Sequence, residues 1–442
     1  MIPRFPFDSV PALSPSAVAM LPTPTLHDRS RCTASAIAVR CLWLSLFVSI
    51  STACSNGSCR LRDSCSVADD CGDGLHCGTC PTAGKNQTTC VRGRSNIPTL
   101  IVKGLPFNKY SWLVTHNSFS IVNATPLLGP RATLYNQEDT VTNQLRNGVR
   151  GLMLDMYDFH DAVWLCHSFR RQCFNFTAFQ PAINTLNEVE AFLTANPSEI
   201  ITIIIEDYVH TPKGLTNLFT KAGLMKYWFP VTMMPVTGNW PTVTDMVRHN
   251  HRLLVFTSDP SKEAGEGIAY QWKYMVENEP GDGGMVRGSC RNRKESHHLD
   301  SRKASFFLEN YFPTFPAVDE ACKENSAPLA EMVDACYKEA GNMMPNFLAV
   351  NFYLRSDGGG VFDSVDRMNG HTLCGCPTVT ACQAGAPFGS CKNTAVSNQT
   401  QSTKGGGSAF SGCVQVSNFS TSTFLHFLHF VILFHLCCFH YN

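Results

Sequence analysis

Charge is scarce in this chain. Only 16% of its 442 residues are Asp, Glu, Lys or Arg, and 35 acidic groups cancel 35 basic ones. Without a net basic field, nothing in the bulk charge calls for a nucleic-acid partner. Three catalytic signatures are missing as well. There is no Walker phosphate loop, no Gly-x-Ser-x-Gly elbow, and no cysteine–histidine metal spacing near the candidate site residues. No uninterrupted apolar run reaches the ~20 residues that a spanning helix wants. What remains, at 44% apolar content, is a folded globular protein and not a disordered one.

Cysteine, by contrast, is abundant. Twenty-one thiols would be a liability in a reducing compartment and suit an oxidising, secreted one. Asn-x-Ser/Thr acceptors at Asn56, Asn86, Asn123, Asn175 and Asn398 agree with that reading. Arg29, Arg31 and Arg40 precede the apolar Cys41–Ile50, and the small residues Ser51, Thr52 and Ala53 follow, so residues 1–53 are expected to be a signal-peptide region. At the other end Phe424–Phe439 is apolar but interrupted by His426, His429 and His435. The small trio Ser411, Gly412 and Cys413 stands upstream, so residues 412–442 are expected to be a GPI-attachment signal. Cutting after Ala53 and near Ser411 leaves sixteen cysteines, an even number that permits complete pairing. The expected localisation is the secretory pathway and the cell surface, with a GPI anchor at the plasma membrane.

Between these ends, residues 54–96 form a cysteine-rich segment with too little apolar content for its own core, so disulfides must hold it. Its Cys77-x-x-Cys80 pair admits zinc, but an exported segment this dense in cysteine favours disulfides. From 97 to 370 strand-like and helix-like runs alternate. Helices are expected at Asn136–Asn147, Ala182–Ala195, Gly214–Trp228, Val243–Asn250, Leu329–Ala340 and Val361–Asn369. Strands are expected at Ile200–Ile205, Arg252–Thr257, Ile268–Met275 and Phe347–Tyr353, besides runs ending at Asp155 and His167. This rhythm indicates a parallel sheet, and its length favours an α/β fold of the (β/α)8 TIM-like barrel type. Disulfide-rich extensions flank the barrel. The C-terminal one, 371–411, runs through a second cysteine group into a flexible spacer.

Four apolar runs end on residues fit for acid–base or metal chemistry: Ser111–Asn117, Arg150–Asp155, Val163–His167 and Glu199–Glu206. Buried strands should not end repeatedly on costly polar groups unless those groups converge. The candidates are His116, Asn117, Asp155, His167 and Glu206. Imidazoles can take and return a hydroxyl proton near neutrality, while carboxylates and an amide oxygen suit calcium. Phosphodiester cleavage is the reaction these types fit. Arg150 reads as structural, and Asp158, Asp161 and Asp207 as loop residues or as supports behind the site. Lys273, Tyr353 and the Gly-rich turn at Asp357 are weaker candidates for substrate contact.

The stretches Thr115–Ser118, Gly148–Asp155, Cys166–Ser168 and Ile203–Asp207 resemble, in order and spacing, the phosphatidylinositol-specific phospholipase C X domain. The resemblance spans roughly 97 to 370 and leaves both cysteine-rich ends outside. It implies that His116 is the general base on the inositol 2-hydroxyl and that His167 protonates the leaving group. It also implies a calcium ion held by Asn117, Asp155 and Glu206. One departure weakens that ion: Met153 stands where the calcium-dependent members have a carboxylate. Nor does the chain match the calcium-independent bacterial members, since Asp155 falls where their arginine is expected. The implied partner is an inositol phospholipid or related phosphodiester lipid at the outer membrane surface, met by a monomer. Two other readings stand beside this one: glycerophosphodiester hydrolysis, and a surface binding module that keeps the barrel without turnover.

Overall fold

The computed structural model describes residues 54–392 except 83 and 84. The expected leader and anchor signal, and the spacer from 393, lie outside the described residues. All sixteen cysteines from Cys54 to Cys391 are paired, in eight disulfides.

The N-terminal segment folds as a hairpin of β1 (Leu75–Thr82) and β2 (Lys85–Arg92), paired antiparallel from Leu75↔Arg92 to Thr82↔Lys85. Cystine replaces an apolar core there. Cys59, Cys65, Cys71 and Cys90 are buried together, held by the Cys54–Cys59, Cys65–Cys77 and Cys71–Cys90 bonds. The Cys77-x-x-Cys80 pair is split between two disulfides, because Cys80 bonds to Cys322 on the barrel.

The barrel strands are β3 (Trp112–Thr115), β4 (Gly151–Phe159), β7 (Ile201–Tyr208), β8 (Leu253–Thr257), β9 (Ala269–Tyr270), β10 (Met275–Glu277), β11 (Phe306–Tyr311) and β12 (Phe347–Val350), with β5 (Ala162–Cys166) and β6 (Ala178–Pro181) attached beside β4. The ladder runs β10-β11-β12-β3-β4-β7-β8-β9, parallel at every step. Its two ends, β9 and β10, follow one another in the chain but share no ladder, so the barrel has one seam. Helices connect the strands: α1 (Val141–Arg146), α2 (Ala182–Ala195), α3 (Gly214–Lys221), α4 (Val243–Arg248), α5 (Ser261–Glu266), α6 (Gln271–Tyr274), α7 (Val318–Glu324), α8 (Ala327–Glu339) and α9 (Gly360–Cys374).

Strands covered on both faces read as continuous apolar runs, which explains the Ile-rich β7. Its Ile201, Ile203 and Ile205 pack outward with Leu186, Val189 and Leu193 of α2, while Ile204 faces the barrel interior with Trp112, Val114, Phe256 and Phe306. Side chains fill the interior, as in a packed barrel core and not a pore.

Three expectations change. The run Ile268–Met275 is not one strand, because the helical turn α6 breaks it at the seam. The helix expected from Asn136 begins only at Val141, where the Thr140 hydroxyl caps it by accepting from the Asn143 N–H at 3.2 Å. Finally, the strand ending at His167 is not a parallel barrel strand. β4 continues past Asp155 to Phe159, turns, and returns as β5 antiparallel to itself, in the register Met156↔Leu165. Apolar periodicity does not encode strand direction.

Candidate active site

His116 follows β3 directly and is half-buried. Its ring lies flat on Phe312, with centroids 3.6 Å apart and planes 6° from parallel. Its Nδ1 is 2.9 Å from Asn351 Oδ1 at the end of β12, and Asn136 Nδ2 donates to the same oxygen at 3.0 Å. Asn136 Nδ2 also lies 3.2 Å from His116 Nδ1; with the proton on Nδ1 the ring donates to the shared Asn351 oxygen, which leaves Nε2 as the acceptor. Burial pushes the imidazole down to about 3, with nearby His167 adding to the effect and the Asn351 bond opposing it.

His167 follows β5, and the hairpin's return brings it back to the level of Asp155. Its Nδ1 donates to the Leu134 carbonyl at 3.0 Å, so its Nε2 is again the free nitrogen. Burial lowers its proton affinity, whereas the Leu134 carbonyl and the charge of Glu206 raise it. The Cys166–Cys173 disulfide closes the loop that carries it.

Asp155 and Glu206 are register partners on β4 and β7 and point to the same face. Asp155 is 8% exposed, and both burial and the facing Glu206 hold its carboxyl well above the usual carboxylate range. Glu206 is exposed and accepts the Tyr208 hydroxyl. Asn117, buried at a left-handed φ of 44°, turns its amide onto Asp155 and donates at 2.9 and 3.3 Å with the nitrogen inward. With the amide reversed, one amide oxygen and two carboxylates would face one point. That donor set fits a hard divalent cation. Met153, two residues before Asp155 on the same face, is packed among interior side chains and offers no oxygen.

The five candidate residues therefore gather at one end of the barrel. The weaker candidates do not join them. Arg150 pairs with Glu199 at 2.7 Å and donates to the Leu145 and Val149 carbonyls, a bracing role at the opposite end. Asp158 accepts the His210 and Thr211 N–H groups, and Asp207 accepts from Thr257. Lys273 pairs with Glu263. The Tyr353 hydroxyl donates to Asp139 at 3.0 Å. Asn351, Asn136 and Phe312, which orient His116, carried no signal in the sequence. Asn is common at turns, and a lone Phe after a strand reads as core.

A family model described as PI-PLC X 1 matches residues 109–369. A PI-PLC X domain-containing protein of Arabidopsis thaliana is 65% identical over 389 residues, covering 86% of this chain and 91% of that protein. An uncharacterized secreted protein of Arthroderma benhamiae is 24% identical over 292 residues, 61% of this chain and 62% of its own length. Among solved structures, the phosphatidylinositol-specific phospholipase C of Listeria monocytogenes aligns at 16% identity with a TM-score of 0.40, covering 60% of this chain and 93% of that one. The match across the barrel and the close plant relative identify this chain as a member of the PI-PLC X domain family.

Proposed function

We propose that the protein is a phosphoric diester hydrolase that cleaves inositol phospholipids, or related phosphodiester lipids, at the outer face of a membrane. One observation carries the reading: two imidazoles, each with Nδ1 engaged by an oxygen and Nε2 free, stand beside two register-paired carboxylates. In this reading His116 Nε2 takes the proton of the inositol 2-hydroxyl as that oxygen bonds to phosphorus. The bond from phosphorus to the diacylglycerol oxygen breaks, and that oxygen takes a proton from His167. His167 must first hold a second proton on Nε2. The Glu206 charge favours that form, against the opposing effect of burial.

Asn117, Asp155 and Glu206 would hold a calcium ion, with Met153 contributing nothing. When bound, the ion would neutralise charge on the phosphate.

Access to a lipid surface is supported by the rim. Phe169, Phe174 and Phe176 stack in series beside His167, with centroids 5.5 and 5.3 Å apart, and Arg170 and Arg171 are exposed next to them. Phe315, three residues beyond the ring that covers His116, is 74% exposed. Aromatic groups flanked by cations suit an anionic interface. Among the described residues no helix is long and apolar enough to cross a membrane. Eight disulfides fit an oxidising compartment, and attachment at the cell surface would rest on the expected C-terminal signal.

The deciding assay follows inositol cyclic phosphate release from phosphatidylinositol by the glycosylated ectodomain, with calcium and with chelator. Cyclic product that needs calcium supports the full reading, and product that survives the chelator removes the metal from it. Absence of product from folded protein under both conditions would leave a binding module.

A further inference from the structure

The cysteine-rich module lies outside the residues matched to the family, yet several of its contacts with the barrel fall on one loop. That loop, residues 351–360, leaves β12 and begins with Asn351, the acceptor for His116. Cys80 of β1 is bonded to Cys322 of α7. Three residues on, Asn325 closes the C-terminal end of α7, and its Nδ2 donates to the carbonyls of Asn351 at 2.9 Å and Phe352 at 3.2 Å. Asn325 is 2% exposed, so these bonds are made away from bulk water.

Phe352 needs that support. Its φ of 44° is left-handed, a conformation that a non-glycine residue holds only when the surroundings impose it. Its N–H donates to the Asn136 carbonyl at 2.8 Å, which ties the strained residue to the second asparagine of the His116 network. The module reaches the same loop at three more points. Arg355 donates to the Thr79 carbonyl of β1 while clasping Glu138, two residues after Asn136. Arg92 donates its N–H to the Gly358 carbonyl at 3.3 Å, and its guanidinium pairs with Asp363 and Asp366 of α9 at 2.7 Å each. Cys80 Sγ lies 3.0 Å from the Ser356 carbonyl oxygen.

We propose that the N-terminal module is a positioning element of the active site, holding Asn351 and Phe352 through the Cys80–Cys322 bond and Asn325 so that His116 stays aligned. The inference rests on His116 acting as the base. The module also braces α7, α9 and the end of α1, where the Ser95 N–H donates to the Asn147 carbonyl at 2.8 Å. Its contacts with the loop that follows β12 go further, since the shortest covalent path ends one hydrogen bond from the residue that orients His116.

Two variants of the full ectodomain test this: Cys80→Ser combined with Cys322→Ser, and Asn325→Leu alone, which leaves every disulfide intact. Each is assayed on a soluble inositol phosphodiester, and the His116 ring-proton chemical shifts are followed by NMR at one fixed pH, because the ring stacks on Phe312 and its shifts report that alignment. The expected result is a fall in kcat of about a hundredfold with KM unchanged, as for a reacting group displaced by about an ångström. The His116 ring protons should also lose part of the ring-current shift that Phe312 imposes on them in the parent. A lower melting temperature with parental kcat and parental His116 ring shifts would overturn the proposal. A parent without turnover sinks the proposed reaction alone, since the ring shifts still decide: a change in the variants upholds the coupling and its absence refutes it. Asn325→Leu decides the matter if the double serine variant does not fold.

Discussion

Two pairs of buried asparagines stand at opposite ends of this barrel, and they are used differently. At the bottom, Asn346 accepts the Phe307 N–H and donates to the Asn108 and Tyr110 carbonyls, while Asn369 accepts the Ser111 N–H and donates to the Ser111 and Val365 carbonyls. Both ends of each amide are satisfied. At the mouth, Asn351 and Asn136 spend one end each on the His116 network, and Asn351 Nδ2 and Asn136 Oδ1 find no partner within the protein. Asn310 Oδ1 and Gln137 Oε1 share that condition. An unpaired buried polar atom costs about 1–3 kcal/mol. The bottom uses its amides to hold the fold, and the mouth keeps part of its hydrogen-bonding capacity in reserve at a cost in stability.

Mutations can sharpen or break that contrast. The largest effect is expected from His116→Ala, which should lower kcat on phosphatidylinositol by about 10⁴-fold while leaving the unfolding transition near the parent's. Retained activity would remove the mouth's claim to chemistry. Next, Asn351→Ala should cost about a hundredfold in kcat yet only about 1 kcal/mol in urea unfolding, because removing its unpaired Nδ2 offsets part of the cost of the two donors left without their acceptor. Asn346→Ala should reverse the pattern, losing about 2–3 kcal/mol of stability by stranding three backbone groups, with kcat per folded molecule unchanged. Equal stability losses for these two asparagines would dissolve the comparison.

The smallest effect concerns an unpaired group at neither end. Glu309 of β11 is fully buried beside α8, and neither carboxyl oxygen has a hydrogen-bond partner. Burial, with Asp334 adding to it, pushes its carboxyl from the ordinary 4.5 up to about 8. Between those values the folded protein holds a proton that the unfolded chain releases, so stability is present at low pH and lost as pH rises toward 8. Glu309→Gln should remove that slope, giving a higher melting temperature than the parent at pH 9 and a small difference at pH 5. Parallel melting curves across that range would show that Glu309 is not held protonated.

Much of this was legible in the sequence. The run Ile200–Ile205 and its closing Glu206 announce a strand buried on both faces that ends on a group too costly to bury idly. The four strand-end stretches marked the mouth for the same reason. Other elements were hidden for physical reasons. Phe306–Tyr311 carries Glu309 and Asn310 inside a buried strand, which breaks the apolar pattern that identifies one. The return of β5 depends on hydrogen-bond direction, to which side-chain periodicity is blind. The partners of His116 are neutral amides and a phenylalanine, cheap in many settings and therefore silent until tertiary structure brings them together.

The Cys80–Cys322 bond also constrains the order of events during synthesis. Its partners are 242 residues apart, so Cys80 is synthesised long before Cys322. Its nearest thiol in the chain, Cys77, must in the meantime find Cys65 and not Cys80. The hairpin can form early from local pairs, but its attachment to the barrel must wait until α7 has emerged. Closing so long a loop restricts the unfolded chain by about 5 kcal/mol. A chain whose synthesis stalls before Cys322 therefore leaves Cys80 without its native partner, however completely the local pairs of the hairpin have closed.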